Sequence, residues 1–409
     1  METDTSPRMF SSDFDRWLLR RIMLHIGNPR VSLRLWNGDE FSVSDGSPVA
    51  CIEFRKRRAI YELLASVSVG FGECYSKGLI EIHGDVLACA NEISRCFTHQ
   101  LDRRYWWLRL RSTVASLRGN SLARSRHNVH QHYDLGNNFY KMWLDERMVY
   151  TCAYYDRPEA TLAEAQLAKL DYVCRKLCLE PGQKVVEAGC GWGALAMHMA
   201  EHYGVEVRAY NNSTEQVAFA REQATQRGLN DRVEFVTGDY RMITGQYDAF
   251  VSVGMLEHVG SGHFRTLGDL IIRCLRPDGL GLIHTIGRSH PRPPDPWIAK
   301  HIFPGGHIPS LGEMASVFEP HRFSVLDVEN LRLHYARTCA AWLENFEAVS
   351  DRVADQYSEE FVRMWRLYLA SSSAGFRTGT LQLYQVLFAP RSNNNVPWTR
   401  QYMYGRRSY

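Results

Sequence analysis

The chain has 409 residues, enough for two or three domains with a large apolar core. Its 48 basic and 45 acidic residues leave a formal net charge of +3, which argues against a dedicated nucleic-acid-binding protein, since such proteins usually carry a strong basic excess. The ten cysteines show neither a Cys-x-x-Cys pair nor a Cys/His spacing typical of a metal site, so we predict free thiols in a reducing cytoplasm and no bound metal.

No apolar run reaches the roughly 18 residues that a bilayer-spanning helix needs. The first residues, from Met1 to Asp4, are acidic and do not begin an apolar secretion signal. We therefore expect a cytoplasmic protein.

The first 115 residues predict a small α+β domain. Residues 1–30 mix arginine with apolar side chains, as an amphipathic helix does, and residues 59–70 and 85–101 also have helical patterns. Asn37 and Gly38 stand between two short runs of alternating polarity, which indicates a β-hairpin. We see no catalytic constellation in this segment, and contacts with lipid or with a second copy are the roles left open for it.

The segment that follows allows more than one interpretation. Residues 103–111 are basic and aromatic; they fit contact with an anionic membrane surface or, as we favour, an interdomain helix with a solvated face. Residues 116–126 predict a linker. His127, His130 and His132 lie close together, but no acidic or cysteine partner has a standard metal-ligand spacing, which disfavours a metal site.

The stretch from Lys184 to Gly193 predicts a strand, a tight turn and the start of a helix. Glycine occupies positions 189, 191 and 193, where the missing Cβ lets a ligand approach the backbone. Such a loop alone is weak evidence for nucleotide-type binding, because an ordinary strand-to-helix turn also uses glycine.

Strands and helices alternate around this loop. Strand patterns cover residues 184–188, 205–210, 233–236, 248–253 and 281–284. We expect an α/β fold with an open, mostly parallel, doubly wound sheet, whose ligands lie outside the carboxyl ends of the strands. Polar or glycine residues lie at or just after the carboxyl ends of all five predicted strands: Gly189 to Gly193, Asn211 to Ser213, Asp239 with Tyr240, Glu257, and His284.

The last hundred residues predict a helical cover. Two amphipathic helices lie near 337–350 and 356–373, and a final strand pattern lies at 381–388. We place the catalytic domain at residues 127–390. The polar and aromatic tail, residues 391–409, is expected to be loosely held.

Several segments together resemble the cyclopropane fatty acid synthase family, which includes the mycolic acid cyclopropane synthases. They occur in the family's order and spacing across about residues 115–390. The matching segments are 132–136, 150–154, 189–193, 253–258, 284–287, 302–304, 334–338 and 382–386.

The resemblance implies a Rossmann-like class I methyltransferase sheet that binds S-adenosylmethionine. By position, it assigns the methionine part of this cofactor to the glycine loop and the adenine to residues 239–241. The cofactor-binding residues that it implies are Tyr150, Thr151, Glu187, Gly189, Gly191, Gly193, Asn211, Ser213, Gln216, Asp239, Tyr240 and Arg241.

The resemblance also implies transfer of a methylene group to the cis double bond of an unsaturated phospholipid acyl chain. An alkene has no proton to remove at the first step, so activation must come from the cofactor, and the cation that results needs a dry site. Aromatic faces stabilise cations, and Tyr133, Tyr154 and Tyr335 are candidates. The resemblance implies bicarbonate as the base, held by Cys152, Glu257, His284, the backbone of Ile286, and Tyr335.

Further expectations from the resemblance are a homodimer and peripheral association with the inner face of the membrane. The chain departs from the family pattern at Glu187, where aspartate is usual, and at Asn211 and Asn212, which replace a Thr-Leu or Thr-Ile pair. These departures affect the predicted cofactor site.

Three other functions stay open. The same fold could yield a methyl-branched, methylene or furan-precursor fatty acid. A lipid-binding protein could keep the fold without catalysis, although a complete set of Cys152, Glu257, His284 and Tyr335 argues against that. A small-molecule methyltransferase would need a base near a hydroxyl or amine, and the long helical cover favours a larger apolar pocket.

Overall fold

The computed structural model describes residues 8–102 and 135–405. The basic aromatic stretch 103–111, the linker 116–126, the three histidines between 127 and 132, and Tyr133 lie outside the described residues. What the sequence predicts for them stays a prediction.

The N-terminal part forms a four-stranded sheet with four helices. The helices are α1 (Arg8–Ile26), α2 (Arg58–Ala65), α3 (Val67–Ser76) and α4 (Val86–Asp102), and the strands are β1 (Val31–Leu35), β2 (Glu40–Ser42), β3 (Ala50–Phe54) and β4 (Ile80–Gly84). The strand order is β2-β1-β3-β4. The antiparallel β1–β2 pair confirms the predicted hairpin.

Two features of this part differ from the sequence prediction. Residues 59–70 do not form one helix, because Ser66 is extended (φ −161°) and its hydroxyl accepts the backbone N–H of Val69, which ends α2 and caps α3. The strand β4 was not predicted, because five residues with two inward apolar side chains, Ile80 and Ile82, give too short a pattern.

The larger sheet has seven strands. They are β5 (Lys184–Ala188), β6 (Glu206–Asn211), β7 (Val233–Thr237), β8 (Tyr247–Val253), β9 (Leu275–Gly287), β10 (Phe323–Asn330) and β11 (Gln382–Pro390). Their order is β10-β11-β9-β8-β5-β6-β7. Strands β5 to β9 pair in parallel, whereas β11 is antiparallel to both β9 and β10. The predicted α/β, mostly parallel sheet is confirmed, and the partly exposed edge strand β10 was not predicted.

Twelve further helices are found in residues 135–405. They are α5 (Gly136–Lys141), α6 (Leu162–Lys176), α7 (Ala194–Tyr203), α8 (Thr214–Gln226), α9 (Leu256–Val259), α10 (Phe264–Cys274), α11 (Pro296–His301), α12 (Leu311–Phe318), α13 (Arg332–Glu347), α14 (Ser350–Gln356), α15 (Glu359–Thr378) and α16 (Gln401–Tyr404). The two predicted C-terminal helices are α13 and α15, which pack against each other. Within the described ranges, no helix has both the length and the apolar character to cross a membrane.

The tail is held more firmly than its composition indicates. Met403 is only 2% exposed in the core beside α6, and Arg400 forms an ion pair with Asp327 of β10. The side-chain amide of Asn393 donates to the carbonyls of Asp278 and Gly279. The tail is therefore anchored at Asn393, Arg400 and Met403, although most of its other residues are exposed.

Charged side chains dock the N-terminal part onto the rest. Arg363 of α15 donates to the carbonyls of Tyr75 and Ile80 at 2.6 and 2.8 Å and to the carboxylate of Glu81. On α3, Glu73 accepts from Lys300 and His301 of α11. The hydrogen bond from Lys300 is the main reason that the pKa of Glu73 falls to about 2.

We expect Arg363→Ala to lower the free energy of unfolding by about 2 to 3 kcal/mol, because two buried carbonyls and a carboxylate lose a charged donor. Arg55→Ala is the matched control, since Arg55 also pairs with Glu81 but is half exposed. Calorimetric melting and limited proteolysis between the two parts measure the effect. An Arg363 variant as stable as the Arg55 variant would contradict this role.

Candidate active site

One cavity of about 840 Å³ lies at the carboxyl ends of β5, β6 and β8. This is the position that the sheet topology predicts for a ligand. Eight of the twelve predicted cofactor-binding residues line the cavity: Tyr150, Thr151, Glu187, Gly189, Gly191, Asn211, Gln216 and Tyr240. The other four, Gly193, Ser213, Asp239 and Arg241, are not in its wall but support residues that are.

Two glycines of the loop have different roles, one in ligand access and the other in packing. Gly191 has φ +54°, and a Cβ built on it would meet no atom within 4 Å, so its cavity side is open. Gly193 has φ +86°, and a Cβ there would lie 2.6 Å from the ring of Phe235 and 2.9 Å from Ala220. Gly191 thus gives room to a ligand, whereas Gly193 lets α7 begin close to β7 and α8.

Asn211 connects the glycine loop to α8. Its Nδ2 donates to the Gly191 carbonyl at 3.1 Å and to Gln216 Oε1 at 2.7 Å, while its Oδ1 accepts the backbone N–H of Ser213. The Ser213 hydroxyl in turn caps α8 by accepting the backbone N–H of Gln216. The departure from the family pattern at position 211 therefore introduces a buried amide that fixes the loop.

Asp239 follows β7 and is buried. Its carboxylate accepts from the Arg241 backbone and side chain and from Asn212. Burial alone would raise the pKa of Asp239, but the bonds from Arg241 outweigh it and keep that pKa below its usual value. Both oxygens are engaged, so the pair holds the loop that carries Tyr240 into the cavity wall.

Lys169 of α6 was missed by the sequence analysis. It is 2% exposed, lines the cavity, and donates to Thr151 Oγ1 at 3.1 Å. Burial lowers its pKa to about 8 and raises the pKa of nearby Glu187 to about 8, while their mutual attraction opposes both shifts. The sequence signal was a lysine on the apolar face of α6, between Ala165 and Val173.

The predicted bicarbonate-binding residues are brought together only in part. Glu257, Ile286 and Tyr335 line the cavity, whereas Cys152 and His284 are buried outside its wall. The backbone N–H of Ile286 donates to Glu257 Oε1 at 2.6 Å, so it is already engaged. Burial raises the pKa of Glu257 to about 6, although this bond opposes the shift.

His284 pairs with a residue to which we gave no role. Gln385 Nε2 lies 3.1 Å from His284 Nδ1, and an amide donor there places the imidazole proton on Nε2. Burial lowers the pKa of His284 well below its usual value, so the ring is neutral at neutral pH. The signal for Gln385 was an amide in the middle of the otherwise largely apolar strand β11.

Two other predicted residues have partners outside the cavity. The Cys152 thiol donates to the Ala153 carbonyl at 3.2 Å, and burial raises its pKa well above the usual value, so it stays protonated. Tyr154 does not line the cavity; it stacks between Tyr172 and His334, with ring centroids at 4.3 and 4.9 Å. Among the described residues, no group of three or more His, Cys, Asp or Glu side chains could hold a metal ion.

Two family models match this chain. One, described as mycolic acid cyclopropane synthetase, matches residues 120–386, and the other, described only as a domain of unknown function, matches residues 18–100. The chain belongs to the mycolic acid cyclopropane synthetase family.

The relatives include lipid-modifying enzymes and a structure that holds S-adenosylhomocysteine (SAH). A protein of Pseudomonas putida named "Probable fatty acid methyltransferase" is 33% identical over 91% of this chain and 96% of its own. The "Cyclopropane-fatty-acyl-phospholipid synthase" of Escherichia coli K12 is 42% identical over 65% of this chain and 68% of its own. The crystal structure of mycolic acid cyclopropane synthase CmaA1 with SAH and CTAB is 31% identical, with a TM-score of 0.61 over 64% of this chain and 97% of that one. The family member described here is an S-adenosylmethionine-dependent methyltransferase.

The cavity has the features that this cofactor needs. The open side of Gly191 admits a ligand to the backbone, and Glu187 Oε2 is buried with no hydrogen-bond partner among the described residues. A buried carboxylate without a partner is costly unless a ligand supplies a donor or a charge. Glu187, in place of the usual aspartate, thus keeps a carboxyl oxygen to which a ligand could donate.

The two glycines should respond differently to alanine. Gly193→Ala is expected to cost about 2 to 4 kcal/mol of folding free energy, from backbone strain and from overlap with Phe235. Gly191→Ala should cost about 1 to 2 kcal/mol but weaken S-adenosylhomocysteine binding at least about tenfold, since its Cβ enters ligand space. Denaturant melts and calorimetric titration measure both effects. Equal changes in stability and affinity for the two variants would contradict this division.

Cofactor affinity should rise with pH up to about 8. Without ligand, burial keeps Glu187 protonated below its pKa of about 8. The ammonium group of the ligand favours the carboxylate, so binding below that pH releases the proton of Glu187. Above about pH 8 the carboxyl is already ionised and no proton is released. Titration of S-adenosylhomocysteine between about pH 6 and pH 9 measures the slope. The ligand's own amino group titrates in both proteins, so Glu187→Gln should show a smaller slope than wild type, and equal slopes would contradict the assignment.

Proposed function

We propose that this protein transfers a one-carbon unit from S-adenosylmethionine to the cis double bond of an unsaturated phospholipid acyl chain and closes a cyclopropane ring. The observation that carries the proposal is the buried Glu257 carboxyl, which has an unpartnered Oε2 and lies in an apolar, aromatic cavity that continues into the cofactor loop. The name of the Escherichia coli relative supports the same lipid chemistry.

S-adenosylmethionine supplies an electrophilic methyl group when bound. The residues of the cavity then have to hold a hydrocarbon in line with that group and exclude water. Aromatic side chains form much of this wall: Phe303, Tyr335, Trp342, Tyr368 and Phe376. Tyr335 stacks on Phe376 with centroids 4.4 Å apart, and such faces stabilise positive charge on the lipid.

Ring closure requires removal of a proton from the transferred carbon. We propose bicarbonate as the base, held by Glu257 and His284 with Tyr335 near them. Glu257 Oε2 and His284 Nε2 are both buried without a partner among the described residues, so one can accept the hydroxyl proton of bicarbonate and the other can donate to its oxygens. Cys152 and Ile286 fit less well, since their donors already have acceptors.

The second candidate function is methylation of a fatty acid to a branched product. The relative that matches nearly the whole chain is named "Probable fatty acid methyltransferase", which favours this outcome. The two functions share the cofactor and the first step and differ in how the cation on the lipid loses its proton. The buried Glu257 carboxyl in the cavity wall, whose Oε2 has no partner among the described residues, favours ring closure.

The test uses the purified full chain, vesicles of a phospholipid with monounsaturated chains, and methyl-labelled cofactor. Wild type should give labelled acyl chains that gain CH2 and have lost the double bond, as seen by mass spectrometry and proton NMR. Labelled chains that keep an alkene, either as a methylene group or beside a new methyl branch, would support the second function, since the cation then loses a proton without closing a ring. Cofactor binding with no labelled lipid would overturn both.

Glu257→Gln should lower turnover by about a hundredfold or more, since the base at the transferred carbon loses its acceptor. Cofactor affinity should stay within about twofold, because Glu257 does not support the glycine loop. Glu344→Gln, an exposed change on α13, is the matched control. In carbon-dioxide-free buffer, wild-type turnover should fall and should recover when bicarbonate is added. Turnover that does not depend on bicarbonate would rule out this base but not the methyl-transfer activity.

We also propose that the enzyme works as a homodimer at the membrane surface. Support comes from the family resemblance and from the lipid substrate, which resides in a bilayer. Light scattering that gives the monomer mass across assay concentrations would contradict the dimer, and failure to sediment with anionic vesicles would contradict the membrane association.

A further inference from the structure

The N-terminal part, residues 18–100, matches a family model with no known function, yet it shares the cavity of the catalytic part. The CmaA1 structure aligns over 97% of its own length with 64% of this chain, so about a third of this chain has no counterpart in it. The N-terminal residues themselves therefore indicate their role in the cavity.

Helix α4 presents an apolar stripe to the cavity. Val86, Cys89, Ala90, Ile93 and Phe97 all line it, and their spacing of three and four residues places them on one helix face. From the first to the last, the stripe extends about 16 Å at about 1.5 Å per residue. Helix α4 also packs against α15, and Cys89 is buried in the core, so these side chains border the cavity from a packed helix.

The rest of this branch of the cavity is apolar too. Ile26, Ile52, Leu63 and Ile82 contribute from α1, β3, α2 and β4, and each is less than 9% exposed. No charged side chain of residues 18–97 lines it; the polar ones are Ser68 and Ser94. The catalytic part contributes Asp295 beside Ser68, but along the apolar side chains of residues 18–97 a hydrocarbon would bury its surface at about 25 cal/mol per Å².

Small residues connect this branch to the reaction site. Ser371, Ser372, Ala374 and Gly375 of α15 line the cavity, and α15 packs against both α4 and α13, the helix that carries Tyr335. Gly72 of α3 lies so close to Trp297 that a Cβ would be 2.3 Å from the indole nitrogen. Helix α15 thus contributes short side chains to the cavity where the two parts meet.

We propose that the N-terminal domain binds the methyl-terminal part of the substrate acyl chain, in the branch bordered by the stripe on α4. This rests on the proposed lipid substrate. The domain thereby extends the acyl site beyond the catalytic domain and favours chains long enough to fill the branch.

Photo-crosslinking tests the location directly and does not depend on turnover. A phospholipid with a diazirine at the methyl end of its acyl chain should label residues 86–97 in the full-length protein, and excess unlabelled lipid should compete. Labelling confined to residues 135–405 would overturn the proposal. A diazirine next to the acyl carbonyl is the control probe, and labelling of α4 by that probe alone would also overturn it.

Substitution in the stripe tests the effect on chain length. Ala90→Phe should lower kcat/KM for an eighteen-carbon monounsaturated chain at least about tenfold more than for a fourteen-carbon chain with its double bond equally far from the carbonyl. Ala88→Phe is the matched control, since Ala88 is also partly exposed on α4 but does not line the cavity. Cofactor affinity and melting temperature should match between the two variants.

The outcomes separate this inference from the proposed function. If wild type modifies lipid but Ala90→Phe keeps the wild-type ratio between the two chain lengths, the N-terminal site is wrong and the function stands. If wild type modifies no lipid, the function fails, and the crosslinking result alone decides whether the branch binds a hydrocarbon.

Discussion

The turn after β5 is the constraint on which the rest of the site depends. Gly191 and Gly193 both have positive φ, so the chain leaves the strand, passes the cavity and enters α7 within a few residues. Asn211 ties the Gly191 carbonyl to α8, and the close packing at Gly193 fixes α7 against β7. A ligand at this turn meets backbone positioned by three neighbouring elements, so little ordering remains to be done on binding.

Burial then determines which groups around the cavity can act. Within residues 8–102 and 135–405, Glu187 and Glu257 each have one carboxyl oxygen without a hydrogen-bond partner, and their pKa values are raised because burial disfavours the charged form. Lys169 offsets part of this cost for Glu187. Such a site is unfavourable when empty and gains from any ligand that supplies the missing donors. The same dry surroundings that raise these pKa values also protect a cation from water.

Sequence patterns located the sheet and the glycine loop because both depend on local periodicity. Strand ends placed Asn211, Asp239 and Glu257 on one edge, and the topology alone brings those ends together. Partners across long sequence distances were not predictable in this way. Gln385 reaches His284 only because β11 inserts antiparallel beside β9, and Thr338 of α13 accepts the N–H of Ala153 from a distant segment. Tyr154 was misplaced for the same reason, since its stacking partner His334 comes from α13.

The N-terminal domain shows how a docking interface can shape a site without contributing polar chemistry. Arg363 satisfies two carbonyls at the edge of the domain, and Glu73 accepts from Lys300 and His301 of α11. The side chains that make these contacts do not line the cavity. The stripe on α4 packs against α15 and also borders a space continuous with the reaction site. A long hydrocarbon in that space would add van der Waals contacts to side chains that the fold already positions.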